Sequence, residues 1–132
     1  RSWVKAQGLE GRIVFTGPLG TDEVVKHMQT HDVLMLNSRR ENFPCVIAEA
    51  WACGIPVMST DVGGIREHLP PGLSERGFLL QAGAGEAEWK EAWMQVSKTT
   101  WPEESLRTYA ETHFSMAAVG AAYKEVYLDL LG

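Results

Sequence analysis

Residues 33–59 read VLMLNSRRENFPCVIAEAWACGIPVMS, and the fold turns on this stretch. Val33-Leu-Met-Leu36 is a continuous apolar run of strand length, and a strand apolar on both faces suits a parallel sheet covered by helices. From Pro44 to Cys53 the residues predict a helix, with Pro at its first position and Gly54 just past its end. Pro56-Val-Met-Ser59 predicts a second short strand. A strand returning through a helix to another strand implies parallel pairing with a right-handed crossover.

The same alternation continues outward. Upstream, Arg12-Ile-Val-Phe-Thr16 is β-branched and aromatic and stops at Gly17-Pro18, which predicts a strand. Thr21 offers an N-cap hydroxyl to a helix whose first turn holds Asp22 and Glu23 and whose stripe is Val24, Val25 and Met28. Downstream, the loop Asp61-Val-Gly-Gly64 leads to a short helix, Ile65 to Leu69, stopped by Pro70-Pro71. Gly77-Phe-Leu-Leu80 predicts the last strand. Gly83-Ala-Gly85 reads as a connector, and from Glu86 only helical spacing remains: Trp89, Trp93 and Val96, then Val119, Tyr123, Val126 and Leu130. The expected fold class is therefore α/β, a Rossmann-like parallel sheet with helices on both faces and a helical C-terminal segment. One domain is expected over 1–132, with an α/β part at 1–85 and C-terminal helices at 86–132.

Composition narrows the functional classes. With 132 residues and 45% hydrophobic content the chain can bury a real core, which excludes disorder and a disulfide-stapled miniprotein. Twelve basic against seventeen acidic residues give a net charge of −5, with no like-charge run, and argue against nucleic acid or an anionic membrane surface. The longest uncharged stretch, Ala50 to Thr60, contains Gly54 and Pro56 and falls short of the ~20 apolar residues of a membrane span. No signal peptide opens the sequence. It begins instead at Arg1 in RSWVKAQG, which reads like the end of a helix and predicts a piece of something longer. Cys45 and Cys53 lack C-x-x-C or metal spacing and read as two reduced, buried thiols, fitting a reducing cytoplasm. His27 and His31, four apart, lack an acidic third ligand at motif spacing and read as one helix face.

In open α/β sheets the ligand sits beyond the carboxyl ends of the strands. The most unusual residues there are Asn37 to Ala50, with Glu41 where the loop meets the predicted helix and Glu49 eight residues on. Eight residues on a helix span about 12 Å and leave the two within roughly 80° of one face, which places one carboxylate at the helix N-terminus and the other two turns down the same side. Between them the first helical amides carry free N–H groups and partial positive charge suited to phosphate. Carboxylate, anion site, carboxylate matches an elongated ligand with hydroxyls at both ends and phosphate in the middle, the layout of a nucleotide-diphosphate sugar. The helix dipole alone also favours acidic residues near a helix start.

The wider pattern is more specific. ENFPCVIAEAWACGIPV followed by TDVGGIRE resembles the donor-binding half of family 4-type glycosyltransferases of the GT-B fold, whose hallmark is E-x-F-[GP]-x4-E-A-x-A-x-G-x-P-V and then G-G-x-x-E. The upstream IVFTG and DVLMLNS match that family's preceding strands, and His113-Phe-Ser115 with Tyr123 to Tyr127 its terminal helix. The resemblance covers about Gly8 to Leu131.

That resemblance implies roles residue by residue. Glu41, as the catalytic position, would anchor donor-sugar hydroxyls, with Asn42, Phe43 and Cys45 lining the sugar. Cys45 and Val46 would face the diphosphate through their amides, and Glu49 would accept from the ribose hydroxyls. Gly17, Pro18 and Leu19 would flank the nucleobase, while Gly63 and Gly64 would let the backbone approach the pocket. Such enzymes retain anomeric configuration by same-face attack, with the donor phosphate helping to deprotonate the acceptor. No metal and no other cofactor is expected. An Arg and a Lys stabilise the leaving diphosphate in that family, but from a glycine-rich loop upstream of anything in this sequence. Arg39 and Arg40 read as loop charges, and Pro44 stands where Gly is commoner, removing one N–H.

The resulting expectation is the donor-binding portion of a retaining glycosyltransferase that transfers a hexosyl unit to a glycan, lipid or small-molecule acceptor. It would be inactive as an isolated chain, with a missing N-terminal GT-B domain as partner. Cytoplasmic location is expected, peripheral at the inner membrane face through that missing domain. Self-association through an exposed sheet edge is expected too. The alternatives are a non-catalytic folding or interaction module and another GT-B enzyme, such as a sugar-nucleotide epimerase or a phosphorylase. A dinucleotide-binding dehydrogenase is disfavoured, since no G-x-G-x-x-G follows a strand.

Overall fold

A computed structural model describes residues 1–132. The elements run α1 (Ser2–Ala6), α2 (Thr21–Gln29), β1 (Leu34–Leu36), α3 (Cys45–Ala52), β2 (Val57–Thr60), α4 (Ile65–His68), β3 (Gly72–Ser74), β4 (Gly77–Leu80), α5 (Glu86–Val96), α6 (Glu103–Phe114) and α7 (Met116–Leu131). The sheet order is β1-β2-β4-β3. β1 pairs parallel with β2, with Leu34 opposite Val57, and β2 pairs parallel with β4, with Met58 opposite Phe78.

Alternation along β2 and β4 divides the core into two layers. Val57 and Leu79 face Ile47, Ala50 and Trp51 of α3, Ile65 of α4, and Leu106 and Ala110 of α6. Met58 and Leu80 face Ala92 and Val96 of α5 on the other side. The sheet is thus apolar on both faces and covered on both, the α/β architecture that uninterrupted apolar strands demand.

Four sequence expectations change. Arg12–Thr16 forms no strand: Ile13, Val14 and Phe15 are exposed and join no ladder, because β propensity makes a strand only where a partner offers its hydrogen bonds. The sheet is not wholly parallel, since Gly72–Ser74 doubles back antiparallel on β4. It is too short and too polar to announce itself as a strand. The N-cap of α2 is Gly20 rather than Thr21, with the Glu23 carboxylate accepting from the Gly20 amide at 3.0 Å. Pro44 is the N-cap of α3 rather than its first helical residue.

The C-terminal segment is helical as expected, but its apolar spacing does not mark a core face. Val119, Tyr123, Val126 and Leu130 are all exposed on α7, which buries no residue. On α5 the core positions are Ala92 and Val96, whereas Trp93 is 42% exposed. No helix is long and apolar enough to cross a membrane.

Candidate donor-binding site

The loops after β1 and β2, at the carboxyl ends of adjacent parallel strands, are fastened to one another. The Thr60 hydroxyl donates to the Ser38 carbonyl at 2.7 Å, and the Gly64 amide donates to the Asn42 carbonyl at 2.5 Å. Gly63 has φ +58°, a left-handed conformation that L side chains rarely adopt, and a Cβ there would overlap the carbonyl oxygens of Glu41 and Asn42. Gly63-Gly64 is therefore the surface on which the Asn37–Phe43 loop rests. The Ser38 hydroxyl donates to Glu41 Oε1 at 2.6 Å, which orients the half-buried carboxylate. The sequence pattern assigns Ser38 and Thr60 no role of their own. The signal available was the Ser-x-x-Glu spacing, the interval at which one turn brings a hydroxyl to a carboxylate.

Glu41 does not lie on the helix. α3 begins at Cys45, and Pro44 is extended at φ −73° and ψ 120°. The helical arithmetic of about 12 Å between Glu41 and Glu49 therefore does not hold, because half of the interval is loop. Pro44 takes the extended N-cap conformation, and the helix starts at Cys45, after the acidic residue.

The start of α3 has no side-chain cap. The Ile47 amide bonds the Pro44 carbonyl at 3.0 Å, while the amides of Cys45 and Val46 find no acceptor in the chain. Two unpaired N–H groups and the positive end of the helix dipole thus meet where Cys45 is exposed. Cys45 is not the buried thiol expected from sequence, since the first helical turn faces out of the core. Cys53, at the other end of α3, is half-buried, and burial pushes its thiol pKa up, opposed by Arg107 and reinforced by Glu49.

The other expected residues are divided among separate surfaces around α3. Val46 and Leu19 line one cleft of about 350 Å³, with Met35 on the open edge of β1, while Gly17 and Pro18 lie exposed beyond it. Glu49 is exposed and borders a groove between α3 and α6 with Arg107 and Glu111. Asn42 is exposed. The Phe43 ring stacks on Phe114 at 5.1 Å and 11° and meets His68 at 4.9 Å, so this side chain is engaged by α6 and α4. Arg39 and Arg40 are exposed and form no ion pair, whereas Arg66 pairs with Asp61 through its Nε at 2.9 Å. No group of three or more His, Cys, Asp or Glu side chains is placed to hold a metal ion. His27 and His31 stand 5.7 Å apart, ring to ring, and both are exposed.

Behind the loop lies an aromatic and cationic cluster. His68 Nδ1 shares a hydrogen bond with the Tyr109 hydroxyl at 3.0 Å, and Arg76 lies over the Tyr109 ring at 4.1 Å. Arg76 Nε donates to the His68 carbonyl at 2.8 Å, and the Trp51 indole donates to the Arg76 carbonyl at 3.0 Å. Burial lowers the His68 pKa, with His113 and Arg76 adding to the effect and Glu67 opposing it.

A two-faced sheet, a helix start with free amides and a glycine pair beneath the Glu41 loop define an α/β domain with its candidate site at the carboxyl ends of the strands. The chain belongs to the glycosyl transferases group 1 family, whose model matches residues 1–98. It is 31% identical over 135 residues to the N-acetyl-alpha-D-glucosaminyl L-malate synthase of Bacillus anthracis, a match that covers 97% of this chain and 33% of that protein. It is 40% identical over 93 residues to the 2-deoxystreptamine N-acetyl-D-glucosaminyltransferase of Streptomyces fradiae, covering 66% of this chain and 22% of the relative. Among solved structures, sucrose-phosphate synthase from Thermosynechococcus elongatus superposes with TM-score 0.77 at 22% identity, over 98% of this chain and 33% of that one. The lipopolysaccharide outer core galactosyltransferase WaaB gives 0.76, also at 22% identity, over 97% and 36%. The chain thus spans about a third or less of the length of these two curated relatives.

Proposed function

We propose that the chain is the donor-binding portion of a retaining glycosyltransferase and binds the nucleotide-diphosphate part of a hexosyl donor across the start of α3. The supporting observation is the pair of unpaired amides at Cys45 and Val46, set beside the Glu41 loop that Gly63 and Gly64 hold in place. In this reading the two amides receive the diphosphate, and the Glu41 carboxylate, oriented by Ser38, receives donor-sugar hydroxyls. Glu49 accepts from the ribose hydroxyls, Leu19 with Gly17 and Pro18 flanks the base, and the backbone at Asn42 and Phe43 borders the sugar. Transfer proceeds by same-face attack without a resident metal. The acceptor is held by a further domain, as the partial coverage of the relatives supports. Residues 1–85 carry the donor site and 86–132 the helices that brace it. The open edge of β1, with Met35 half-exposed, makes the chain self-associate.

Isothermal titration of UDP, GDP and ADP tests the reading. At least one should bind, and Glu49→Ala should weaken it about tenfold or more, as loss of a charge-assisted hydrogen-bond acceptor does. Equal affinity in the variant would remove Glu49 from the ribose role. Absence of binding by all three would overturn the donor reading.

A further inference from the structure

The amino ends of the parallel strands carry a second cavity, of about 450 Å³, at the opposite end of the sheet from the donor loop. Its floor is the pair of segments that enter the strands, His31-Asp32-Val33 before β1 and Gly54-Ile55-Pro56 before β2. Its walls are the last turn of α5 and the connection to α6. The volume lies within the range of small-ligand sites, about 300–1,000 Å³.

Two indoles line it. Trp93 sits on α5 at core spacing with Val96, yet its side chain remains 42% exposed and borders the cavity instead of entering the core. Trp101 is half-buried, and its indole nitrogen donates to the Val96 carbonyl at 3.2 Å, which fixes the ring. Two polar groups of the same lining have no partner in the protein. Asp32 forms neither an ion pair nor a side-chain hydrogen bond, and the Thr100 hydroxyl is unengaged, whereas Thr99 already donates to the Gln95 carbonyl at 2.9 Å.

This combination selects one ligand chemistry. An aromatic face packs against the apolar C–H face of a pyranose ring, and a carboxylate accepts from neighbouring hydroxyls. Asp32, unpaired in this lining, and a chain of net charge −5 disfavour phosphate and acidic glycans, while Glu103 of the same lining is paired with Arg107 at 3.1 Å. We infer that the cavity is a binding site for a neutral oligosaccharide, stacked on Trp93 and Trp101 and held through Asp32 and Thr100. It is separate from the donor site, which lies at the carboxyl ends of the same strands. The inference does not rest on the donor reading.

The test is titration of the isotopically labelled chain with maltotriose, cellotriose and triacetylchitotriose, followed by its amide and indole N–H resonances. At least one sugar should shift the indole signals of Trp93 and Trp101 and leave the amides of Cys45 and Val46 unmoved. UDP should do the reverse. Trp93→Ala and Asp32→Asn, both surface changes, should each weaken sugar binding about tenfold, read from the remaining shifts around Thr100. The inference is overturned if none of the sugars moves the two indoles, or if sugar affinity is unchanged in both variants. A silent UDP titration beside a positive sugar titration would count against the donor reading alone.

Discussion

The Gly64 amide donates to the Asn42 carbonyl at 2.5 Å, tying the loop after β2 to the loop after β1 just beyond the sheet. One residue earlier, Gly63 takes φ +58° in a position where any Cβ would overlap the Glu41 and Asn42 carbonyls. Gly63→Ala therefore carries two costs, a strained backbone and an overlap with main chain that cannot swing aside. Together they amount to about 2–4 kcal/mol. At Gly64 φ is negative and an added Cβ would stand 3.2 Å from the Asn42 carbonyl, so Gly64→Ala should cost under about 1 kcal/mol. Urea unfolding midpoints of the two variants check this. Equal losses would mean that the loops do not bear on each other at Gly63.

Much of this was legible in the sequence, for identifiable reasons. Val57 to Thr60 reads as a strand because every one of its residues is buried between two helical layers, so no polar alternation interrupts it. Arg12–Thr16 carries the same residue types and forms no strand, because pairing is decided by the neighbour rather than by the segment. The start of α3 lies one residue later than the sequence predicts, and Glu41 lies off the helix, since Pro suits an N-cap as well as a first turn. For Gly63 and Gly64 the resemblance implies close approach of the backbone to a pocket. What crowds Gly63 is the Glu41–Asn42 backbone, a contact between loops about 20 residues apart that only the folded chain brings together.

Trp51 tests the layer that supports the site. It is fully buried, meets Tyr109 edge-on at 5.6 Å and donates to the Arg76 carbonyl at 3.0 Å. Trp51→Ala should cost about 3–5 kcal/mol, a large share of what a domain this size possesses, and leave much of the chain unfolded at 25 °C. Trp51→Phe keeps the aromatic contact and removes one of the two hydrogen bonds that the Arg76 carbonyl accepts, the Val57 amide at 3.2 Å remaining, at about 0.5–1.5 kcal/mol. Thermal unfolding followed by circular dichroism should rank them in that order. A native-like transition in Trp51→Ala would show that α3 is held chiefly by its other contacts.

His68 should make stability pH-dependent. Burial, and then the neighbouring His113, hold its pKa below the ordinary histidine value, while Glu67 pulls the other way and Arg76 adds to the lowering. The folded state therefore binds its proton less readily than the unfolded state. Stability from this residue is fully present above about pH 6.5, the unfolded value, and is lost as pH falls through the lower folded value. The unfolding midpoint in urea should drop between pH 7 and pH 5, and His68→Gln should flatten that drop. A wild-type midpoint constant over the range would refute a neutral, half-buried His68. Because His68 also touches the Phe43 ring at 4.9 Å, amide exchange in the Asn37–Phe43 loop should quicken over the same interval.

Two apolar surfaces compete as the basis of self-association, and they can be separated. β1 is an edge strand whose Met35 is 51% exposed, while α7 exposes Tyr123, Val126 and Leu130 along its length. An edge offers unpaired N–H and C=O groups as well as apolar area, so it can add strands of a second copy, whereas a helix face offers area alone. Sedimentation velocity across a hundredfold range of concentration should show a sedimentation coefficient that rises with concentration. Met35→Lys places a charge on the edge and should return the chain to a monomer, and Val126→Lys should leave the association in place. The opposite pattern would assign the contact to α7. A monomer at every concentration would end the idea for both surfaces.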